Sequence, residues 1–551
     1  MDCGFNESRV KCIPVKTTHG PRARLEFKEG FMFVIAFVLL MLLSGCSSPA
    51  QSGPDAARAL IDESAAAMGG WAAMDAVKVQ QIIATGGDFE PMQAVKPNGE
   101  PRVINRFSQG IIYDFENKRM RLTMDSIRQY PNTQPVKFTE VIEGDTGMLE
   151  TPDANGKAVQ ERLHPSRLAT RLRDMRRVPI RLLYTAKAAA ELTRIEDKKE
   201  GNATIYVIRY KDGNQPVDVH FSSFNKLPVR VIYTEDDPIY GDTLNELAFT
   251  DWREYSGVRL PQTTAVFLNG NKIREESARN IINNPRIDAA GLVVAEEIKK
   301  QPAVGEPIVS QWPLRRVVMG VGYQDFGREQ KVDFVEVAKG VYQIKGSTHH
   351  SLAVEMKDYI VVVEAPLFEE RSVAVMKAIE AKIPGKPIKY LVMTHFHIDH
   401  SGGIRAYAAK GATLLVQEEN LAFVRTVLAR PKTIRPDSLA RAGSVTPNIE
   451  TVKGVKSLTD GERTIELREI PNPHSTGMLV AYLPMEKVLF VSDLFTPGTP
   501  VDRSNTNGIE NAAALYTAVT AANLEVDRIV GGHGDIAPLR DLAKVAAIRG
   551  Q

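Results

Sequence analysis

Apolar and polar residues follow different rhythms in successive parts of this chain of 551 residues. Near the amino terminus, FMFVIAFVLLMLL (31–43) is an unbroken apolar run of 13 residues. It is too short for an ordinary membrane span and has the length of a signal-peptide core. From about 55 to 290, a helix predicted at 55–68 gives way to short alternating runs such as GIIYDF (110–115), MRLTM (120–124), TIYVIR (204–209) and PVRVIY (228–233). Alternation with period two predicts strands with one buried face. The clearest hairpin joins TTAVFL (263–268) to KIRE (272–275) across Asn269, Gly270 and Asn271. Together these runs predict a strongly curved antiparallel sheet. Between 291 and 335 the alternation fades around Pro302, Pro307 and Pro313, which predicts a linker. Beyond it, KYLVMT (389–394) reads as a short buried strand and IRAYAAK (404–410) as a helix.

The stretch HPSRLATRLRDMRRV (164–178) sets Leu168, Leu172 and Met175 on one helical face and five arginines on the rest. A surface helix over the sheet is the expectation, with a helix lying on anionic headgroups as the alternative.

Between the strand at 389–394 and the helix at 404–410 lies HFHIDHSGG, holding His395, His397, Asp399 and His400 in a chain with ten histidines in all. Imidazole and carboxylate suit zinc and similar metals, and a loop past a strand end is where functional residues gather. Four side chains within six positions need partners from elsewhere. His474 in NPHSTG, Asp493 in FVSD and His533 in GGHGD each sit beside a strand-like run.

This set, in this order, resembles the metallo-β-lactamase-fold hydrolase superfamily over roughly 335–551. The resemblance implies that His395, His397 and His474 hold one metal, that Asp399, His400 and His533 hold another, and that Asp493 bridges them. It also implies two divalent metal ions, zinc the expected one, and a shared hydroxide as nucleophile, oriented by Asp399 as the catalytic carboxylate. Glu364 in VVVEAP stands where the family usually has an aspartate that supports the site from behind. His349 and His350 precede the strand-like SLAVEM (351–356), a place from which a loop can approach the substrate. The bridging carboxylate resembles the glyoxalase, lactonase and nuclease branches more than true β-lactamases.

LSGC (43–46) resembles the lipobox of bacterial lipoproteins, which implies cleavage before Cys46 and its lipidation, followed by a polar tether at 46–54. Cleavage removes six basic and four acidic residues and leaves 63 of each sign. That balance gives no reason to expect nucleic acid as a partner. Cys3 and Cys12 leave with the signal, so no disulfide is expected. The phrases FSSFNKLPVRVIY (221–233) and FTDWREYSGVRLPQ (249–262) resemble outer-membrane lipoprotein-carrier-like domains, which are half-barrels over an apolar cavity.

The expected architecture is α+β. A signal (1–45) and tether (46–54) precede a curved antiparallel β half-barrel (55–290), a linker (291–335) and an αββα metallo-β-lactamase-fold sandwich (336–551). The expected function is metal-dependent hydrolysis of an ester, thioester, lactone or lactam, with a small-molecule or lipid-like substrate. The expected location is the cell envelope, facing the periplasm and attached to the membrane through the lipid. The alternative is a binding lipoprotein with a structural metal domain. The last 220 or so residues are enough for an independent core, so a fragment cut near residue 330 is expected to bind metal and hydrolyse small substrates alone.

Overall fold

The run IVVV at Ile360–Val363 is buried at every position. Ile360 and Val362 turn toward one apolar cluster and Val361 and Val363 toward another, so this strand lies between two layers. The computed structural model describes residues 52–316, 325–500 and 502–550. All of them belong to one compact unit. Cys46, the signal and the tether up to residue 51 lie outside the described residues.

Ile360–Val363 belongs to a seven-stranded sheet that begins at Asp333–Ala338 and ends at Ile449–Val452, antiparallel in its first half and parallel from Ile360–Val363 onward. A six-stranded sheet, from Val455–Thr459 to Ile536–Ala537, packs against it. Leu352, Val361, Val392, Leu467, Leu483 and Phe490 are among the residues that fill the space between the two. The helices Glu369–Lys382 and Leu421–Ala429 cover the first sheet, and Thr506–Ala521 and Leu539–Ala546 cover the second. The result is the expected αββα sandwich, with strands buried on both faces and therefore continuously apolar.

The amino-terminal module is one open antiparallel sheet of thirteen strands. Its middle pair joins the first strand, Val79–Glu90, to the last, Asn271–Asn283. One meander runs outward from this pair to Ala158–Arg162, and the other to Leu192–Glu200. The hairpin at 268–271 turns through Asn269 and Gly270, both at positive φ, as an Asn-Gly turn requires. Helices Pro54–Ala67, Pro165–Arg177 and Pro179–Ala188 supply apolar side chains to the sheet's cores. A cavity of about 180 Å³ lies over the sheet, lined in part by Ile111, Tyr113, Leu122, Met124, Phe249 and Ala278.

The arginine-rich helix packs inward further than its sequence suggests. Arg167, Arg173 and Arg177 are buried, paired respectively with Glu140, Glu235 and Asp212 from the sheet. Its charges are matched within the protein, which removes the basis for placing it on a membrane surface.

The two domains share buried contacts. Lys432 Nζ donates to Asp236 Oδ1 at 2.8 Å and to the Asp237 carbonyl at 3.1 Å. Met92, Ala94 and Ile239 of the module belong to the same apolar cluster as Phe368, Phe396 and Tyr407 of the sandwich.

Candidate metal centre

The strand Ile388–Met393 ends one residue before Thr394, whose carbonyl accepts from Leu479 N at 2.8 Å. This bond holds the HFHIDH loop against the segment that carries His474. His395, His397 and His400 are completely buried, and the short helix Ile398–Ser401 turns Asp399 and His400 into the same space. Gly402 and Gly403 follow in a turn that needs no positive φ, so it is space that requires glycine there. A Cβ on Gly402 would lie 1.9 Å from the Leu367 carbonyl oxygen, and one on Gly403 would lie 2.0 Å from Ser372 Oγ. The glycines allow the loop to press against the start of helix Glu369–Lys382.

Two groups of ligand atoms result. His395, His397, His474 and Asp493 form one, and His349, Asp399, His400 and His533 form the other, with atoms within each group no more than 4.8 Å apart. Asp493 touches both. Its Oδ2 lies 3.1 Å from His474 Nε2 and 3.8 Å from His395 Nε2, while its Oδ1 lies 2.9 Å from His400 Nε2 and 3.0 Å from His533 Nε2.

The nitrogens that face away are tied to protein oxygens. His397 Nε2 meets the Ala94 carbonyl at 2.9 Å, which makes it the protonated nitrogen and leaves Nδ1 with a free lone pair. Among the described residues that buried Nδ1 has no hydrogen-bond partner. His533 Nδ1 likewise donates to the Thr348 carbonyl at 2.8 Å, leaving its Nε2 to face Asp493. Thr394 Oγ1 donates to Glu364 Oε1 at 2.7 Å and so accepts from His395 Nδ1 at 3.1 Å. The lone pair of His395 Nε2 then faces His474 Nε2 at 3.3 Å. Nitrogen lone pairs and carboxylate oxygens gathered in this way fit a cation better than they fit one another.

Glu364 accepts from Thr394 with one oxygen and meets His400 Nδ1 at 2.8 Å with the other. It takes positive φ, 70°, to do so. Gly532 passes above it, where a Cβ would lie 3.0 Å from Glu364 Oε2 and 3.3 Å from His400 Cε1.

Burial, reinforced by neighbouring imidazoles, holds His395 well below the usual histidine range and His397 down to about 3. His349 is pushed down to about 3, and His350 to about 4, by burial and by His533. At His400 burial acts in the same sense, but Asp493 and Glu364 outweigh it and hold that imidazole well above its usual value. For Asp399 and Asp493 burial opposes ionisation, and the surrounding histidines keep both carboxyls well below the usual range all the same.

Four contributors come from the amino-terminal module, where sequence reading placed none. Gln93 Nε2 donates to Asp399 Oδ1 at 2.7 Å. Ala94 offers its carbonyl to His397, and Tyr130 Oη lies 3.1 Å from His474 Nδ1. Arg102 stacks on the Tyr130 ring at 4.2 Å and donates to the His474 carbonyl at 3.3 Å. Of the adjacent histidines, His349 turns into the site. His350 instead accepts from Gly346 N at 3.3 Å and stands outside both groups.

Residues 363–533 match the family model described as the metallo-beta-lactamase superfamily. Solved structures similar to this chain include a metallo-beta-lactamase from Pontibacter korlensis, at 17% identity over 40% of this chain and 100% of that one, TM-score 0.33. Another is the metallo-beta-lactamase FIM-1 from Pseudomonas aeruginosa in its mono-zinc form, at 18% identity over 40% and 95%, TM-score 0.31. No curated protein matches. The matched segment holds all of the grouped histidines and aspartates except His349, and with it this chain carries a metallo-beta-lactamase superfamily domain built as a metal-dependent hydrolase.

Proposed function

We propose that the protein is a dimetal hydrolase of an ester, thioester, lactone or lactam in the bacterial envelope. The observation that supports it best is Asp493, whose two oxygens face the two ligand groups separately. His395 Nε2, His397 Nδ1, His474 Nε2 and Asp493 Oδ2 would hold one metal. Asp399, His400 Nε2, His533 Nε2 and Asp493 Oδ1 would hold the second. Two such cations, zinc on this reading, supply a hydroxide at neutral pH and polarise a carbonyl oxygen.

The chain's own part is positioning. Gln93 occupies Asp399 Oδ1, so Oδ2 is the oxygen that remains to face the site. Asp399, held ionised, would accept the hydroxide's proton as the new C–O bond forms and pass it to the leaving group as the old bond breaks. Glu364, Thr394 and the Ala94 carbonyl fix the ring orientations, and burial of the loop excludes bulk water. The apolar cavity of the module supports an acyl or otherwise lipid-like substrate. Lipidation at Cys46, which the sequence motif supports, would hold the protein at the membrane facing the periplasm.

Metal analysis joined to a panel of ester, thioester, lactone and lactam substrates tests this reading. Two equivalents of metal, and hydrolysis that chelation abolishes and zinc restores, are expected. Full activity in metal-free protein would refute it. Fatty-acid labelling that Cys46→Ser abolishes tests the anchor, and soluble, unlabelled wild-type protein would exclude it.

A further inference from the structure

His349 shares with the five histidines of the family pattern an arrangement that His350 lacks. In each of those five, one ring nitrogen is engaged by a protein oxygen and the other faces the ligand groups. The oxygens belong to Thr394 for His395, Ala94 for His397, Glu364 for His400, Tyr130 for His474 and Thr348 for His533. His349 follows suit, with Nδ1 2.8 Å from Thr348 Oγ1. Thr348 thus ties two imidazoles, His349 through its hydroxyl and His533 through its carbonyl.

The opposite nitrogen, His349 Nε2, points into the second group. It lies 3.5 Å from Asp399 Oδ2, and the ring centroid is 4.2 Å from that of His533 and 5.4 Å from that of His400. The residue is only 1% exposed, and among the described residues Nε2 has no hydrogen-bond partner. A buried imidazole nitrogen without a partner is costly unless something completes it. The surrounding atoms are a carboxylate oxygen and two more imidazole nitrogens, which is the company of a metal ligand. A substrate-facing histidine, by contrast, would present its nitrogen to open space.

The geometry points to His349 as an additional ligand of the second metal, beyond the seven positions of the family pattern; this rests on the dimetal reading above. The second metal would then have His349, Asp399, His400, His533 and Asp493 Oδ1 around it. The first would have three histidines and Asp493 Oδ2. A centre with five protein ligands approaches six-coordination once a water is added, unlike the four-coordinate sites usual for zinc. The two metals would therefore differ in retention and in the ions they prefer.

The full chain loaded with cobalt(II) tests the assignment without recourse to turnover. Each metal-bound imidazole keeps one ring N–H, which gives a strongly shifted, solvent-exchangeable proton resonance. Six such resonances are expected in the wild type and five in His349→Ala, with six retained in His350→Ala. The second equivalent of metal should leave His349→Ala at roughly tenfold lower chelator concentration or less. If His349→Ala does not fold, the count in the wild type decides. Two equivalents of metal with five resonances, unchanged by the substitution, would overturn His349 as a ligand and leave the dimetal reading standing. Fewer than two equivalents in the wild type would overturn both.

Discussion

The side-chain amide of Gln93 donates to Asp399 Oδ1 across 2.7 Å, joining two residues 306 positions apart in the chain. Through this bond the β module fixes which oxygen of the aspartate faces the ligand groups. Gln93→Ala is expected to lower kcat/KM about 10- to 100-fold, the usual effect of removing a partner of a metal ligand. Gln93→Glu should lower it further, because a second carboxylate would then face Asp399. Steady-state kinetics with metal content measured alongside will check both.

The same contacts change what is expected of a severed sandwich domain. A fragment beginning near residue 336 lacks Gln93, the Ala94 carbonyl and the Tyr130 hydroxyl, which engage Asp399, His397 and His474. It also exposes Phe368 and Phe396, which cluster with Met92 and Ala94 in the whole protein. Lower metal affinity and lower activity than the full chain are expected even on short substrates. Equal values for fragment and full chain would show that the module's contacts are dispensable.

Glu364 serves Thr394 with one oxygen and His400 with the other. Glu364→Gln keeps the shape but turns one of these acceptors into a donor, so it should weaken metal retention about tenfold or more. Competition with a chelator measures this directly, and unchanged retention would show that Glu364 contributes only packing.

In metal-stripped protein, burial holds His349 and His397 at about 3 and His350 at about 4, with His395 also well below its usual value. The unfolded chain takes up these protons near pH 6.5 while the folded chain refuses them. Stability should therefore fall as pH drops from about 6.5 toward 3. His400 and His533 are raised, so what they contribute is fully present below pH 6.5 and is lost only as pH rises through their folded values. They add no slope in the acid window. A thermal midpoint that stays flat between pH 6.5 and 4 would contradict this account.

Lys432 and Asp236 form a buried ion pair between the two domains, 2.8 Å apart. Burial, with the neighbouring Asp237 adding to it, raises the Asp236 carboxyl, and Lys432 opposes that rise. Lys432→Met strands a buried carboxylate and should cost about 3 kcal/mol, less if Asp236 takes up a proton. The double variant with Asp236→Asn should recover part of the loss in denaturant unfolding.

The seven His and Asp positions were legible in the sequence because each sits beside a strand-like run, and four of them fall in one loop. The β module was legible as alternating segments, but those segments were read shorter than the strands they belong to. Arg102–Asp114 is 13 residues long but reads only from residue 110, because the buried polar residues Asn105 and Gln109 break the alternation before it. Gln93 and Tyr130 carry no local sign of their role, since an amide and a phenol acquire it only through Asp399 and His474, far away in the chain. His349 and His350 could not be told apart, because adjacent residues at a strand's entry diverge and only the fold selects one. The arginines of Pro165–Arg177 looked solvated for a similar reason: Glu140, Glu235 and Asp212 come from three different strands of the sheet.

The pairing at the centre of the β module has a consequence in time. Lys78 and Asn284, bonded at one end of the central pair, are 206 positions apart. As the chain is delivered from its amino terminus each meander can form as it emerges, but the seam between them waits for the last strand. Gln93, at the end of the first strand, is made long before that seam closes and 306 residues before Asp399. The HFHIDH loop therefore emerges toward a partner surface already made, while His474, Asp493 and His533 have still to follow.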